Sequence, residues 1–189
     1  MPKPPILPLI DWRSVYDQAR KYSPWLSLSQ SVENRDKMEM LRQSLVLEPQ
    51  TLGYLAGLKR LVYVVAIAED WCGDVVRHVP VLQRLADAAP YLKVRYISRE
   101  LRPDLFARFL TNGGEAIPKF IFLNNMWVEC GNWGPMPAAC RELIARGKAC
   151  GNVPAARKKI HALYDADSKC RVVIEELLHL IEIASCREP

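Results

Sequence analysis

The sequence predicts an α/β fold in which a mixed four-stranded sheet carries helices on both faces, with extra helices at both termini. The first observation is the run RLVYVVAIA, Arg60 to Ala68, whose β-branched and apolar residues are typical of a central strand covered on both faces. The second is the order of elements that follows: helix, strand, helix, two strands, helix. Because a helical crossover joins parallel strands and a tight hairpin joins antiparallel strands, this order predicts a mixed sheet.

The 189 residues are long enough for one domain with appendages. We expect residues 1–58 to form an N-terminal helical extension packed on the core, 59–150 to form the core, and 151–189 to form C-terminal helices of the same domain. The extension contains three predicted helices, which run from Asp11 to Tyr22, from Val32 to Val46 and from Pro49 to about Leu58.

The helix after the central strand begins near Cys72. Its apolar residues recur at steps of four and three, which places them on one buried stripe: Val75, Val79, Leu82, Ala86 and Ala89. Pro80 lies within this helix and is expected to kink it, because proline lacks an amide hydrogen and crowds the preceding turn.

The remaining elements follow from alternation and turn residues. YLKVRYIS alternates apolar and polar residues and predicts a strand, whereas RPDLFARFLT predicts a short helix that stops at Asn112-Gly113-Gly114. IPKFIFL and WVECGNW predict two strands joined around Asn124-Asn125. Three helices complete the chain: one opened by Pro135 and Pro137 and running to about Arg146, one from Ala155 to Tyr164, and one from Arg171 to Ser185.

Composition and charge narrow the function classes. The net charge of +5 is modest, and the densest basic cluster, Arg157 to Lys159, is typical of a solvated helix face, so no nucleic-acid partner is expected. No apolar run approaches the ~20 residues of a membrane span, and the N-terminus lacks the features of a secretory signal. We therefore expect a cytoplasmic protein without a membrane partner. These features leave the oligomeric state open.

The sequence contains six cysteines: Cys72, Cys130, Cys140, Cys150, Cys170 and Cys186. None forms a C-x-x-C pair or zinc-ligand spacing with the three histidines, so we expect reduced thiols, no metal and no bound cofactor. Cys72 differs from the others because it stands at a predicted helix start, where unpaired amide hydrogens and the helix dipole favour a thiolate. A thiolate is the form that attacks a disulfide sulfur.

The residues around Cys72 resemble the active site of thioredoxins. Trp71-Cys72-Gly73-Asp74-Val75 stands where thioredoxins carry W-C-G-P-C, and Pro80 stands where their helix is kinked by a proline. Ile117-Pro118 matches the isoleucine and cis-proline that open their third core strand. EDWCGD, NGGEAIPKFI and NWGPMPA, in this order, are similar to a monothiol W-C-G-D branch of bacterial thioredoxin family proteins.

The resemblance implies a three-layer α/β/α thioredoxin-like fold with Cys72 as the catalytic residue. It also implies a substrate groove, in which a cis-proline turns the preceding backbone towards an extended peptide or glutathione. The groove residues implied in this way are Trp71, Gly73, Asp74, Ile117, Pro118, Trp133 and Gly134.

Three positions depart from the thioredoxin pattern. Val75 replaces the second cysteine, so no thiol on the same helical turn can resolve a mixed disulfide. Ala66 replaces a buried aspartate that helps to move the proton in thioredoxins. Asp74 replaces the motif proline: its carboxylate suits a helix N-terminus but opposes a thiolate at Cys72, and Glu69 and Asp70 add acidity nearby. The sequence does not rank the helix terminus against these carboxylates.

Neighbouring side chains offer Cys72 little assistance in this interpretation. Arg77 and His78 do not share its helical face, and His78 is predicted to lie at the surface. Cys130 falls on the second strand of the hairpin and is predicted to point away from the site.

Two functions follow. In the first, the protein is a monothiol thiol–disulfide oxidoreductase, whose Cys72 acts on protein disulfides or mixed disulfides and is released by glutathione, another small thiol or a partner's second cysteine. In the second, it is a redox-inactive module that binds a protein partner through Trp71, Ile117-Pro118 and Trp133. The replacement of the second motif cysteine by Val75 favours the binding module, whereas the retention of the Cys72 thiol favours the oxidoreductase.

Overall fold

The computed structural model describes residues 9–186 and places the four predicted strands in one sheet. The strands are β1 (Val62–Ile67), β2 (Leu92–Ile97), β3 (Lys119–Leu123) and β4 (Glu129–Trp133). They lie in the order β2-β1-β3-β4. The pair β1/β2 is parallel, whereas β1/β3 and β3/β4 are antiparallel. The predicted mixed four-stranded sheet is therefore confirmed.

Strand β1 forms the centre of the hydrophobic core. Val64 pairs with Val94 on one side and with Phe122 on the other. Every β1 residue except Tyr63 is buried, and β3 is buried along its whole length. This burial explains the nearly continuous apolar sequence of both strands, since each is covered above and below the sheet.

Residues 9–61 of the chain form four helices before the sheet begins. They are α1 (Trp12–Gln18), α2 (Tyr22–Leu26), α3 (Val32–Ser44) and α4 (Pro49–Ala56). The prediction of one helix from Asp11 to Tyr22 is wrong, because the chain becomes extended at Ala19 and Lys21. There the backbone of Arg20 exchanges two hydrogen bonds with Tyr96, at 2.8 and 2.7 Å. This bridge satisfies backbone groups on the outer edge of β2, where no further strand of the described chain pairs.

Helix α5 (Gly73–Ala88) follows β1 directly and contains Pro80. Four residues of the predicted stripe are buried, namely Val75, Val79, Leu82 and Ala89, and Ala86 is partly buried. After β2 come short helical turns, including α6 (Pro103–Phe106), and the chain then enters β3.

Three helices follow the hairpin: α7 (Ala138–Ala149), α8 (Val153–Ala166) and α9 (Arg171–Ser185). Helix α7 begins after its N-cap residue Pro137 rather than at Pro135, and the Gly134–Pro135 peptide that precedes it is cis. Helices α7 and α8 share a small apolar cluster of Met136, Cys140 and Ile160. This pair of helices forms one wall of the candidate site described below.

Different helices cover the two faces of the sheet. Tyr63 packs edge-on against Tyr16 of α1, with ring centroids 5.1 Å apart. On the opposite face, Gly131 of β4 lies directly under Leu180 of α9, and α5 lies beside α9. The arrangement is the three-layer α/β/α fold, and its main core draws on residues from α1, the sheet and α9.

The end of β4 approaches the start of β3 too closely for a side chain at Gly134. A Cβ atom built there would lie 2.0 Å from the carbonyl oxygen of Pro118, and the positive φ adds strain for any other residue. Gly73, at the start of α5, has open space around the corresponding position.

We expect Gly134→Ala to lower the free energy of unfolding by roughly 3 kcal/mol or more, because the Pro118 backbone must move. Urea denaturation measures this loss. The matched control Gly73→Ala should change stability by less than about 1 kcal/mol. Equal stabilities of the two variants would contradict the close approach of Gly134 to Pro118.

Candidate active site

Cys72 lies at the N-terminus of α5, as its position in the sequence predicted. It is the N-cap residue of the helix, and its carbonyl accepts the amide of Val76 at 3.0 Å. The Sγ atom lies 3.5 Å from the carbonyl oxygen of Ile117, to which the thiol donates. The Ile117–Pro118 peptide is cis, as the resemblance implied. The structure therefore brings the thiol and the Ile117–Pro118 segment, called the proline loop below, together.

The loop that carries Cys72 is held by the two acidic residues before Trp71. The Asp70 carboxylate accepts hydrogen bonds from Ser29 Oγ at 2.7 Å and from the amide of Gln30 at 2.9 Å. The Glu69 carboxylate accepts from Ser98 Oγ at 2.7 Å and from the amide of Arg99 at 2.9 Å. These carboxylates anchor the loop to its neighbours rather than standing free beside the sulfur.

The residues assigned to the groove occupy different depths. Trp71 is 60% exposed, with the guanidinium of Arg99 5.3 Å from its ring centroid, and Gly73 is exposed at the helix start. Ile117 and Pro118 are buried, with the Ile117 carbonyl facing Cys72.

Two of the assigned residues, Trp133 and Gly134, are buried. Trp133 is only 3% exposed: it stacks on Phe120 with centroids 5.2 Å apart and donates its indole N–H to Glu176 at 2.5 Å. It supports the site from beneath rather than contacting a ligand. Gly134 is also buried, against the Pro118 carbonyl.

The Cys72 side chain lines a cavity of about 260 Å³. Trp71, Asp74 and Ile117 line it on the side of α5 and the proline loop. Met136, from the segment before α7, and Arg157, from α8, line the opposite side. A small molecule in this cavity would therefore contact the Cys72 thiol, the Asp74 carboxylate and the Arg157 guanidinium.

The environment of Cys72 favours its thiol form over the thiolate. Burial is the largest effect and raises the pKa of Cys72 above its usual value. The amides of Val75 and Asp74 lower it, as expected at a helix terminus, but the Asp74 carboxylate raises it again. Arg157 gives a smaller lowering. Burial and Asp74 together outweigh the helix N-terminus, so Cys72 is a thiol at neutral pH.

Asp74 is itself shifted towards its neutral form. Burial raises its pKa, while Arg157 and a hydrogen bond from the Tyr164 hydroxyl at 3.5 Å lower it. The Asp74 carboxylate, where it is ionised, opposes the ionisation of Cys72 in this half-buried setting.

His78 is buried, and the prediction that it lies at the surface is wrong. It has no exposed surface, and its Nε2 lies 3.1 Å from the Tyr164 hydroxyl. Among residues 9–186, its Nδ1 has no hydrogen-bond partner. Burial, and then Arg77, lower the pKa of His78 to about 3, so it is neutral. A chain of contacts thus runs from His78 through Tyr164 to Asp74 at the cavity.

The sequence held one signal for this burial. His78 directly precedes Val79 and follows Val75 by three residues, so it falls on the buried stripe of α5. Tyr164 carried no such signal, because it reaches the site from α8. Arg77 joins it there, donating to the Tyr164 carbonyl at 2.9 Å with its guanidinium 4.1 Å from the ring centroid.

Two of the three positions that depart from the thioredoxin pattern lie in the core. Val75 and Ala66 are both fully buried. The Sγ atom of Cys130 donates to the Val128 carbonyl at 3.4 Å rather than facing Cys72, and burial raises the pKa of Cys130, with a smaller contribution from the Glu129 carboxylate. All six cysteines fall within the described residues, and each is a free thiol.

Within residues 9–186, no group of three or more histidine, cysteine, aspartate or glutamate side chains is arranged to hold a metal ion. Over the same residues, no helix has the length and apolar character needed to cross a membrane.

We expect Asp74→Asn to lower the pKa of Cys72, because it removes a negative charge near the sulfur while keeping an acceptor for Tyr164. Alkylation of Cys72 at pH 8, followed by peptide mass spectrometry, should then be a few-fold faster. The exposed Asp165→Asn, on α8, serves as the control and should leave the rate unchanged. A rate equal to wild type in Asp74→Asn would contradict this electrostatic role.

Buried His78 should make stability depend on pH. Because its pKa falls from 6.5 to about 3 on folding, the unfolded chain binds a proton in this range that the folded protein does not. Its contribution is therefore complete above pH 6.5 and decreases as the pH falls towards 3. Between pH 7 and pH 5 the expected loss is about 2 kcal/mol.

Urea denaturation of His78→Gln at these two pH values should show a loss smaller by that amount than in wild type. The exposed His179→Gln should retain the wild-type dependence. Identical pH dependence in all three proteins would show that His78 is not buried in its neutral form.

Comparisons with known proteins agree with the fold. A crystal structure of a protein of unknown function from Pseudomonas aeruginosa superposes with a TM-score of 0.72 at 18% identity, covering 92% of this chain and 98% of the other. An HIV epitope scaffold superposes with a TM-score of 0.68 at 16% identity, with the same coverage of 92% and 98%. At these identities the similarity concerns the fold alone.

A search of curated proteins finds no match. The family model described as thioredoxin matches residues 26–150, which is about two thirds of the chain and includes the sheet, α5 and the Cys72 loop. The chain therefore belongs to the thioredoxin family.

Proposed function

We propose that the protein carries out monothiol thiol–disulfide exchange through Cys72. The observation that carries this proposal is the position of the Cys72 sulfur. It lies at the N-terminal end of α5, 3.5 Å from the Ile117 carbonyl before the cis-proline, and it lines an open cavity. A disulfide that enters this cavity can reach the sulfur, while the helix amides face the negative charge that forms there.

The reaction exchanges one disulfide for another. After Cys72 loses its proton, its thiolate attacks one sulfur of R–S–S–R′, a Cys72–S–S–R bond forms, and R′S⁻ leaves and takes up a proton. Because Val75 stands at the resolving position, an external thiolate must then attack the mixed disulfide and return Cys72 to its reduced form. Glutathione or a similar small thiol of the cytoplasm, or a partner's second cysteine, would serve this step.

Because Cys72 is mainly a thiol at neutral pH, the rate of exchange depends on pH. Since the pKa of Cys72 is raised, the thiolate is a minor species at neutral pH, and exchange should accelerate as the pH rises. The substrates proposed are protein disulfides or mixed disulfides that persist long enough for a slow nucleophile.

A second function is favoured by the same raised pKa. A redox-inactive module would bind a protein partner at this surface without needing a thiolate, and the exposed Trp71 beside the Ile117–Pro118 loop offers it an apolar contact. Trp133 would contribute only by supporting that loop, since it is buried.

Adduct formation separates these two functions. Incubation with oxidised glutathione should give a mixed disulfide at Cys72, found by peptide mass spectrometry, that forms faster at pH 9 than at pH 7 and is released by added thiol. Cys72→Ser should lack this adduct. Cys150→Ser, which removes an exposed thiol outside the cavity lining, should retain it.

Two results would contradict the exchange proposal. One is an unreactive Cys72 in a protein whose exposed Cys150 does react. The other is a Cys72 adduct that no external thiol can release. Capture of a protein partner that is equally strong in wild type and Cys72→Ser would favour the binding module.

A further inference from the structure

The cavity beside Cys72 adjoins a second one that extends the site away from the sulfur. The second cavity has a volume of about 330 Å³ and is lined by residues that include Lys119, Gly134 and Glu142. Thr111, Asn112 and Arg141 line both cavities. A ligand whose sulfur lies at Cys72 can therefore extend past Arg141 towards Lys119.

Cationic side chains outnumber carboxylates in the lining of the two cavities, by four to three. Four cationic side chains contribute to it, namely Lys119, Arg141, Lys148 and Arg157. Among the ion pairs formed within residues 9–186, none involves any of these four side chains.

The carboxylates of the lining do not balance these cations. Glu115 pairs with Arg99 at 3.7 Å, and Glu142 pairs with Arg146. Neither of those arginines lines a cavity. Asp74 is the remaining lining carboxylate, and it also accepts a hydrogen bond from Tyr164. The site therefore keeps an excess of positive charge close to the thiol.

Lys119 adds a buried donor to this site. It is 4% exposed, and its Nζ donates to the Gly134 carbonyl at 2.9 Å. An ammonium group has three hydrogens, so donors remain beyond this single bond. Burying an ammonium without a carboxylate is unfavourable, and an anion in the second cavity would offset that penalty. Thr111 Oγ1, on the shared wall, is also buried without a partner in the described chain.

We propose that this site selects small disulfides and thiols that carry carboxylates. The inference rests on the proposed exchange function and narrows its substrates from protein disulfides in general to disulfides that contain a small, carboxylate-bearing thiol. The substrate sulfur would meet Cys72 while its carboxylates meet the cations of the two cavities. Volumes of about 260 and 330 Å³ suit a small molecule, because they lie near the lower end of the range for ligand pockets.

The chemical step is the thiol–disulfide exchange described above. The carboxylates are carried by the groups R and R′ of the disulfide. The Cys72 thiolate attacks the near sulfur, the carboxylate-bearing half stays as Cys72–S–S–R, and the other half leaves as a thiolate that takes up a proton. A carboxylate-bearing thiol completes the cycle by the same attack, so no further oxidant or reductant is needed.

A series of disulfides that differ in charge tests the inference. Dithiodipropionate is anionic, hydroxyethyl disulfide is neutral and cystamine is cationic. The rate at Cys72 is measured for each by peptide mass spectrometry and divided by the rate of a neutral model thiol, N-acetylcysteine amide, with the same disulfide. This division removes differences between the leaving groups. At low ionic strength the normalised rate for the anionic disulfide should exceed that for the cationic one by about tenfold or more, and salt should reduce this preference.

Charge-removing variants locate the preference. Lys148→Gln and Arg157→Gln change exposed side chains, so both should fold, and each should reduce the ratio of anionic to cationic rates by roughly threefold. Arg157 also affects the pKa of Cys72, but that effect changes all three rates together and leaves the ratio unaltered. The control is Lys159→Gln, an exposed residue of α8 outside both linings, which should keep the wild-type ratio.

Equal normalised rates for the three disulfides would overturn the inference while leaving the exchange function intact. A Lys159→Gln variant that loses the preference as fully as Arg157→Gln would also overturn it, by assigning the preference to net charge rather than to the site. A preference found only with a disulfide of a long acidic peptide would show that the substrate is not a small molecule. Absence of a Cys72 adduct with every disulfide would instead refute the exchange function.

Discussion

The candidate site depends on the close contact between the Gly134 backbone and the carbonyl of Pro118. The end of β4 and the start of β3 lie so close together that no side chain fits at Gly134. The Lys119 ammonium reinforces this contact by donating to the Gly134 carbonyl. With the segment fixed in this way, the Ile117 carbonyl faces the Cys72 thiol, and Trp133 fills the space beneath. One backbone contact therefore organises the thiol, the proline loop and the cation behind it.

The electrostatics of Cys72 show how burial can outweigh a helix terminus. The amides at the start of α5 favour a thiolate, but desolvation and the Asp74 carboxylate favour the thiol. Arg157 moderates both acidic groups from across the cavity. A charge delivered by α8 thus takes part in a site whose nucleophile belongs to α5. This arrangement gives the helices after the core a role beyond covering the sheet.

Much of the fold could be predicted because its signals are local. The apolar run of β1, the stripe on α5 and the turn at Asn124-Asn125 each follow from residue spacing within one element. The position of Cys72 at a helix start, facing a cis-proline, followed from the motif and its resemblance. The break between α1 and α2 was missed, since it depends on the pairing of Arg20 with a strand far along the chain.

The less predictable part of the site depends on tertiary packing. Arg157 was assigned to a solvated helix face, and it is indeed exposed, but it lines the cavity beside Cys72. Lys119 occupies a position in an otherwise apolar strand, where its burial depends on the partner carbonyl at Gly134. The raised pKa of Cys72 likewise reflects how deeply neighbouring elements enclose the sulfur. No spacing rule within one segment reports such distances.

The bridge between Arg20 and Tyr96 has a consequence for the behaviour of many copies at once. An outer strand with free amide and carbonyl groups can recruit the same strand of another molecule and begin an ordered aggregate. Here the chain before α2 already occupies those groups at Tyr96 with two short hydrogen bonds. The chain before α2 thereby blocks part of the edge strand β2 and disfavours its pairing with the same strand of another molecule.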